Sequence, residues 1–208
     1  MPDTRPSAPT AVVFDVGNVL YGWDPDSFFA RRIVDEAART RFLAESDFMA
    51  WHDALDGGRA FAEAAADLTG RFPEYARVIQ AWSDDFGDTI TGPVSGVHEI
   101  VEELDARGVP LFGITNFSAD FWTPFEARES AFFSRFRDIV VSGHEKMLKP
   151  DPAIYHLALG RFGLQPHEAL FIDDRPINIH GAEAVGMHGH VFTDAASLRA
   201  CLEQEGFL

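Results

Sequence analysis

Four short stretches of the 208-residue sequence set a reactive side chain directly after, or just beyond, an apolar run. Asp15 lies in VVFDVGN, Thr115 in FGITNF, Lys149 in MLKPDP, and the pair Asp173 and Asp174 in LFIDDRP. Together they offer a carboxylate, a hydroxyl, an ammonium and a second pair of carboxylates. Carboxylates are hard oxygen ligands suited to Mg²⁺. A metal, an ammonium and a hydroxyl can neutralise the oxygens of a phosphoryl group. A carboxylate held beside them can attack phosphorus and form an aspartyl-phosphate, which water then hydrolyses.

Something must bring these pieces together, and the pattern between them says what. Ala11-Val12-Val13-Phe14, Val109 to Ile114, Ile139-Val140-Val141, Ala169-Leu170-Phe171-Ile172 and His190-Val191-Phe192 read as short strands. Continuous apolar runs of this length suit strands buried on both faces. Helical spacing separates them. Val97, Ile100, Val101 and Leu104 form one stripe, with Ser95 as the expected cap and Gly108 as the stop. Asp151-Pro152 opens another helix, carrying Ile154, Leu157, Ala158 and Phe162, and a third runs through Ile179, Ala182 and Val185 to Gly186. Strand then helix, repeated, predicts an α/β fold: a Rossmann-like three-layer sandwich around a parallel sheet. The reactive residues then fall at the carboxyl ends of the strands, where open α/β sheets bind ligands.

Residues 25–92 break the rhythm. They read as helical throughout, with no strand, and predict a helical cap domain inserted after the first strand and lying over the reactive edge. The expected division is a flexible tail over 1–10, a core domain over 11–24 and 93–208, and the cap over 25–92.

Composition bounds the partners. There are 33 acidic and 17 basic residues, a formal charge of −16. That excludes nucleic acid and anionic membrane surfaces as expected partners. One cysteine, Cys201, excludes an internal disulfide, and no apolar run is long enough to span a membrane. The start, MPDTRPSAPT, reads as a loose tail and not a signal peptide, so a cytoplasmic location is expected. Of the basic residues 15 are Arg, and Lys146 and Lys149 are the sole lysines. Lys146 reads as a solvated loop residue. Lys149 falls within the reactive set, where a compact ammonium is not interchangeable with a planar guanidinium. His188 and His190 read as a loop leading into a strand, and His144 and His180 as surface residues.

The stretches VVFDVGNVLYGWDP, WHDALDGGRAFAE, LFGITNFS, VVSGHEKMLKPDPAIY and FIDDRPINIHGAEAVG, in this order, resemble the haloacid dehalogenase superfamily, in particular its phosphatase-like members with a helical cap. The resemblance runs from Val12 to Gly186. It implies a Mg²⁺-dependent phosphatase acting on a small phosphorylated metabolite. Asp15 matches the nucleophile, Thr115 the phosphate-binding hydroxyl with the Asn116 backbone beside it, and Lys149 the lysine that steadies nucleophile and phosphate. Asp173 and Asp174 match the acidic pair of the metal site, with Asp174 favoured for direct coordination. Gly17 lies where the family offers a backbone carbonyl to the metal.

Gly17 is also a departure. Phosphatases of the superfamily carry a second Asp there as general acid and base, a group worth on the order of 10²–10⁴-fold. The FDxGNV form nevertheless resembles a subgroup that includes bacterial sugar-phosphate phosphatases, a glucose-1-phosphatase among them. A substitute proton carrier is sought in Asp24, His52, Asp53 or the substrate itself. Arg59 could read a substrate anion, so Asp24, His52, Asp53 and Arg59 form the candidate selecting set of the cap. Two other readings stay open. A 2-haloacid dehalogenase would use the same Asp without metal, but such enzymes lack the Asp-Asp pair and carry Asp where this chain has Asn178. A non-catalytic phosphate-binding or scaffold protein would explain the missing acid. Oligomeric state is left open.

Overall fold

The computed structural model describes residues 8–208, so most of the expected tail lies outside the described residues. The chain begins with β1 (Ala11–Phe14), β2 (Tyr21–Trp23), α1 (Pro25–Arg32), α2 (Glu36–Ser46), α3 (Phe48–Asp56), α4 (Phe61–Arg71), α5 (Ala76–Asp84) and β3 (Ile90–Pro93). It continues with α6 (Val97–Ala106), β4 (Leu111–Thr115), α7 (Ala119–Arg128), α8 (Ser130–Phe133), β5 (Asp138–Val141), α9 (Ser142–Glu145) and α10 (Pro152–Phe162). The last elements are β6 (Ala169–Asp173), α11 (Pro176–Ala184), β7 (His188–Val191) and α12 (Ala195–Gln204).

Five strands form one parallel sheet in the order β5-β4-β1-β6-β7. β1 is central and buried throughout. Val13 sits opposite Phe112 on one side and Phe171 on the other. Its side chains alternate between two cores, as strand geometry requires. Val12 and Phe14 face the layer that holds α6, α7 and α12, and Ala11 and Val13 face the layer of α10 and α11. This is the α/β three-layer architecture, with helices on both faces of the sheet. Its consequence for function is that β1, β4 and β6 end side by side, so Asp15, Thr115 and Asp173 share one edge.

Helices α1 to α5 lie between β2 and β3 and carry a dense aromatic cluster. Trp82 packs edge-on against Phe28 and Phe48 and is stacked with Phe29, with centroids 4.9, 4.8 and 5.4 Å apart. This cluster is continuous with the core on the Val12 face. Several sequence expectations need correction here. The stretch 25–92 is not helical to its end, because Ile90–Pro93 pairs antiparallel with Tyr21–Trp23. Four residues reading ITGP are too short, and too rich in Gly and Pro, to show a strand period. Gly22 lies opposite Gly92 in this pair, and a Cβ there would meet the Thr91 hydroxyl, which would have to rotate away. Helix α6 is not capped by Ser95. Gly96, in the left-handed region with φ of 79°, precedes it without a side-chain cap. The last strand is His188–Val191, so it begins two residues earlier than expected and ends one earlier: His188 sits on β7 and not in the loop before it.

Candidate active site

The edge is built around a buried cation. Lys149 Nζ donates to Asp15 Oδ2 at 2.9 Å, to Asp173 Oδ2 at 2.7 Å and to the Ile114 carbonyl at 2.9 Å. All three of its N–H groups are thereby used. Burial pulls the Lys149 ammonium down, but Asp15 and Asp173 outweigh it and hold its pKa above the ordinary lysine value. The backbone of Lys149 is clamped as well. The Asn116 amide accepts from Lys149 N–H at 2.9 Å and donates to its carbonyl at 3.1 Å. Asn116 thus couples the end of β4 to the lysine loop through its side chain, a role that its reading as a backbone donor did not include.

Asp15 accepts a hydrogen bond from the Val16 N–H at 2.6 Å in addition to that of Lys149. Burial, with Asp173 and Asp174 adding to it and Lys149 opposing it, pushes its carboxyl up to about 7. Asp173 is wholly buried, and its oxygens are spent on Lys149, on the Asn178 amide at 3.0 Å to each, and on the Arg175 N–H at 2.8 Å. Asp174 is half-buried and lines the open chamber in front of Asp15; burial first, then Asp173, raises its pKa. One oxygen each of Asp15, Asp173 and Asp174 lie within 4.8 Å of one another, a spacing a divalent cation can bridge. Thr115, at the end of β4, is buried, and its Oγ1 finds no hydrogen-bond partner among the described residues. The Ser118 hydroxyl, at the start of α7, is in the same condition. Buried hydroxyls without partners at a strand edge fit a ligand that supplies acceptor oxygens.

One chamber collects most of the expected residues. Asp15, Gly17, Asn116, Lys149 and Asp174 line it from the sheet edge, and His52 and Asp53 line it from α3. Gly17 faces open space, since a Cβ built there meets nothing within 4 Å. Two members of the expected selecting set stand elsewhere. Asp24 is spent as the N-cap of α1, accepting from both Ser27 N–H and Ser27 Oγ, and lies outside the chamber lining. Arg59 follows the Gly57-Gly58 turn but points to Glu63 and Asp67 around α4, away from the chamber. In both cases a nearer partner takes the charge that the sequence leaves free.

Other residues of the site escaped the sequence reading. Trp23, Phe86 and Phe117 build an aromatic wall, with the His52 ring stacked on Trp23 at 5.1 Å. Asp56, one turn after His52, lines the same chamber, with Oδ2 3.7 Å from His52 Nε2. The signal for it was present, since HDALD places His52 and Asp56 at i and i+4 on one helix face.

A strand-end carboxylate held by a buried lysine, with an acidic pair across from it, is now joined by sequence evidence over nearly the whole chain. The profile of the haloacid dehalogenase-like hydrolases matches residues 9–186. The chain belongs to the haloacid dehalogenase-like hydrolase family. It is 30% identical over 199 residues to a sesquiterpene phosphatase of Aspergillus oryzae, covering 93% of each chain. It is 29% identical over 181 residues to an N-acetylmuramic acid 6-phosphate phosphatase of Pseudomonas aeruginosa, covering 85% of this chain and 78% of that one. In fold it resembles a haloacid dehalogenase family enzyme of Bacteroides thetaiotaomicron crystallised with magnesium and inorganic phosphate. The TM-score is 0.66 at 19% identity, covering 89% of this chain and 95% of the other. This member of the family is therefore a hydrolase with phosphatase relatives. Among its described residues no helix is long and apolar enough to cross a membrane.

Proposed function

We propose that this protein is a Mg²⁺-dependent phosphomonoesterase that works through an aspartyl-phosphate on Asp15. The observation that carries this reading is the cation bridge of Lys149 between Asp15 and Asp173, with the unpartnered Thr115 hydroxyl one strand away. Asp174, Asp15 and the Gly17 carbonyl are the groups that would hold the metal. Asp173 is left to orient Lys149, because its oxygens are already engaged. When bound, Mg²⁺ supplies positive charge to the phosphoryl oxygens. Lys149 opposes the burial of Asp15, favouring its ionised form, and aims the carboxylate. The Thr115 hydroxyl donates to a phosphoryl oxygen. Asp15 attacks phosphorus, the bond to the leaving oxygen breaks, and water then cleaves the acyl phosphate and restores Asp15.

The helical insertion acts as the cap that selects the substrate. Trp23, Met49, Phe86, Ile90 and Phe117 give its chamber an apolar outer wall. The cations lining it are Lys149, whose donors are used, and the exposed Arg175. That surface suits a phosphate ester whose alcohol is apolar or aromatic better than one bearing a second anionic group. The name of the sesquiterpene phosphatase relative supports the same class. A panel of aryl, prenyl and sugar phosphates and phosphoglycolate, assayed with Mg²⁺, tests both parts. The expected ranking places aryl and prenyl esters about tenfold or more above the others in kcat/KM, with Asp15→Asn inactive on all. Undiminished turnover by Asp15→Asn excludes the mechanism. Halide release from 2-chloropropionate without metal would instead establish the dehalogenase reading.

A further inference from the structure

A phosphatase needs a proton for the leaving oxygen, and the position that normally supplies it is Gly17, which has no side chain. We infer that Asp56, on the insertion, is the group that protonates the leaving oxygen and then takes the proton back from the attacking water. This rests on the phosphatase reading above.

Asp56 is the last residue of α3 and is 7% exposed, yet it lines the chamber opposite Asp15 and Lys149. Its Oδ1 is buried and has no hydrogen-bond partner among the described residues, so that oxygen's hydrogen-bonding capacity is unused. Its other oxygen lies 3.7 Å from His52 Nε2. The position is fixed from the sheet side. The Ser142 hydroxyl donates to the Asp56 carbonyl at 2.6 Å while accepting from the Phe117 N–H at 2.9 Å. A residue that belongs to the insertion by sequence is thus held by the core.

Its surroundings keep the carboxyl protonated. Burial comes first, Asp53 on the same helix and Asp15 across the chamber add to it, and the Ser118 N–H and Lys149 oppose it; the result is a pKa well above the carboxylate range. His52 does not take the proton, because burial among aromatic rings lowers the imidazole pKa to about 4. A neutral carboxylic acid beside an apolar wall is a proton donor suited to an alkoxide leaving group.

The steps balance. As Asp15 bonds to phosphorus, the electron pair of the breaking bond goes to the leaving oxygen, which takes the Asp56 proton and departs as the alcohol. Asp56 is left as carboxylate. It then removes a proton from water as that water bonds to phosphorus. The Asp15–phosphorus bond breaks with its electron pair returning to the Asp15 carboxylate, and phosphate leaves.

The test compares wild type with the isosteric Asp56→Asn on 4-nitrophenyl phosphate, whose leaving phenol needs no acid, and on phenyl phosphate, whose leaving phenol does. Asp56→Asn is expected to release a burst of nitrophenolate equal to the enzyme present, then turn over on the order of 10²-fold more slowly as phosphoenzyme accumulates. On phenyl phosphate the burst itself is lost. The burst also reports that the variant has folded. Full steady-state turnover on both esters overturns the inference while leaving the phosphatase reading intact. So does an equal loss on both without phosphoenzyme, when Asp56→Glu restores neither. If wild type forms no phosphoenzyme at all, the phosphatase reading fails first.

Discussion

At the sheet edge, Asp15, Lys149 and Asp173 are buried as partners, each within 3 Å of an opposite charge. Across the chamber, His52 and Asp56 are just as deeply buried, but among the described residues no Lys or Arg is salt-bridged to either, and burial drives both toward their neutral forms. The two walls use desolvation in opposite ways. In the core, a buried ammonium held charged by Asp15 and Asp173 opposes it, keeping together groups that can bind metal and phosphate. In the insertion it is left uncompensated, which stores a proton beside an apolar wall. Charge handling and proton handling are thus divided between two separately encoded parts of the chain.

The largest effect should come from breaking the paired side. Lys149→Met leaves two buried carboxylates unpaired and should cost about 3–5 kcal/mol of stability, read by urea denaturation. Lys149→Arg should lower turnover by orders of magnitude, because a planar guanidinium does not fit three acceptors arranged around one nitrogen. Lys146→Arg, at an exposed position, should leave turnover unchanged, and equal tolerance at both lysines would remove the argument.

The neutral side makes a claim about pH. The folded pKa of His52 lies below its unfolded value of 6.5, so acid favours the unfolded chain. Stability should fall by about 3 kcal/mol as the pH drops from 6.5 to 4. The urea midpoint of His52→Phe, which keeps an aromatic ring on Trp23, should lack that portion of the slope. An identical slope in both proteins would show that His52 is not held neutral.

A third change moves the proton function from one wall to the other. Position 17 has room for a side chain. Gly17→Asp placed in the Asp56→Asn background should recover turnover on phenyl phosphate by about 10²-fold, the low end of what a positioned acid contributes. No recovery would mean that the core side of the chamber cannot deliver the proton.

The smallest effects should be those of the two residues that leave the comparison. Asp24→Ala removes a helix cap and should cost about 1 kcal/mol in thermal stability with KM unchanged. Arg59→Ala should change neither kcat nor KM, since its partners Glu63 and Asp67 lie outside the chamber.

These contrasts also explain what the sequence reveals. The paired side was legible residue by residue, because Asp15, Thr115 and Asp173 each end a buried strand and Lys149 stands out in a chain that otherwise uses Arg. The parallel sheet was legible for the same reason. Asp56 was not, since a carboxylate before Gly57-Gly58 looks like a solvated helix end until the fold brings Ser118 and Ser142 against it. Asp24 and Arg59 misled in the opposite direction. A lone charge near a hinge looks available, and only the folded chain shows Ser27 or Asp67 claiming it. The strand at Ile90–Pro93 was hidden because its pairing partner, not its own periodicity, makes it a strand.

That same strand sets how the molecule can be rebuilt. The chain leaves for the helical insertion through β2 and returns through β3, and the two are hydrogen-bonded to each other. The ends of everything between them are therefore already closed, whatever its length, and a different helical unit grafted between Trp23 and Ile90 would not shift the register of the parallel sheet. The leaving-group wall and the proton carrier would be exchanged together, as a single cartridge, on an unchanged phosphate site.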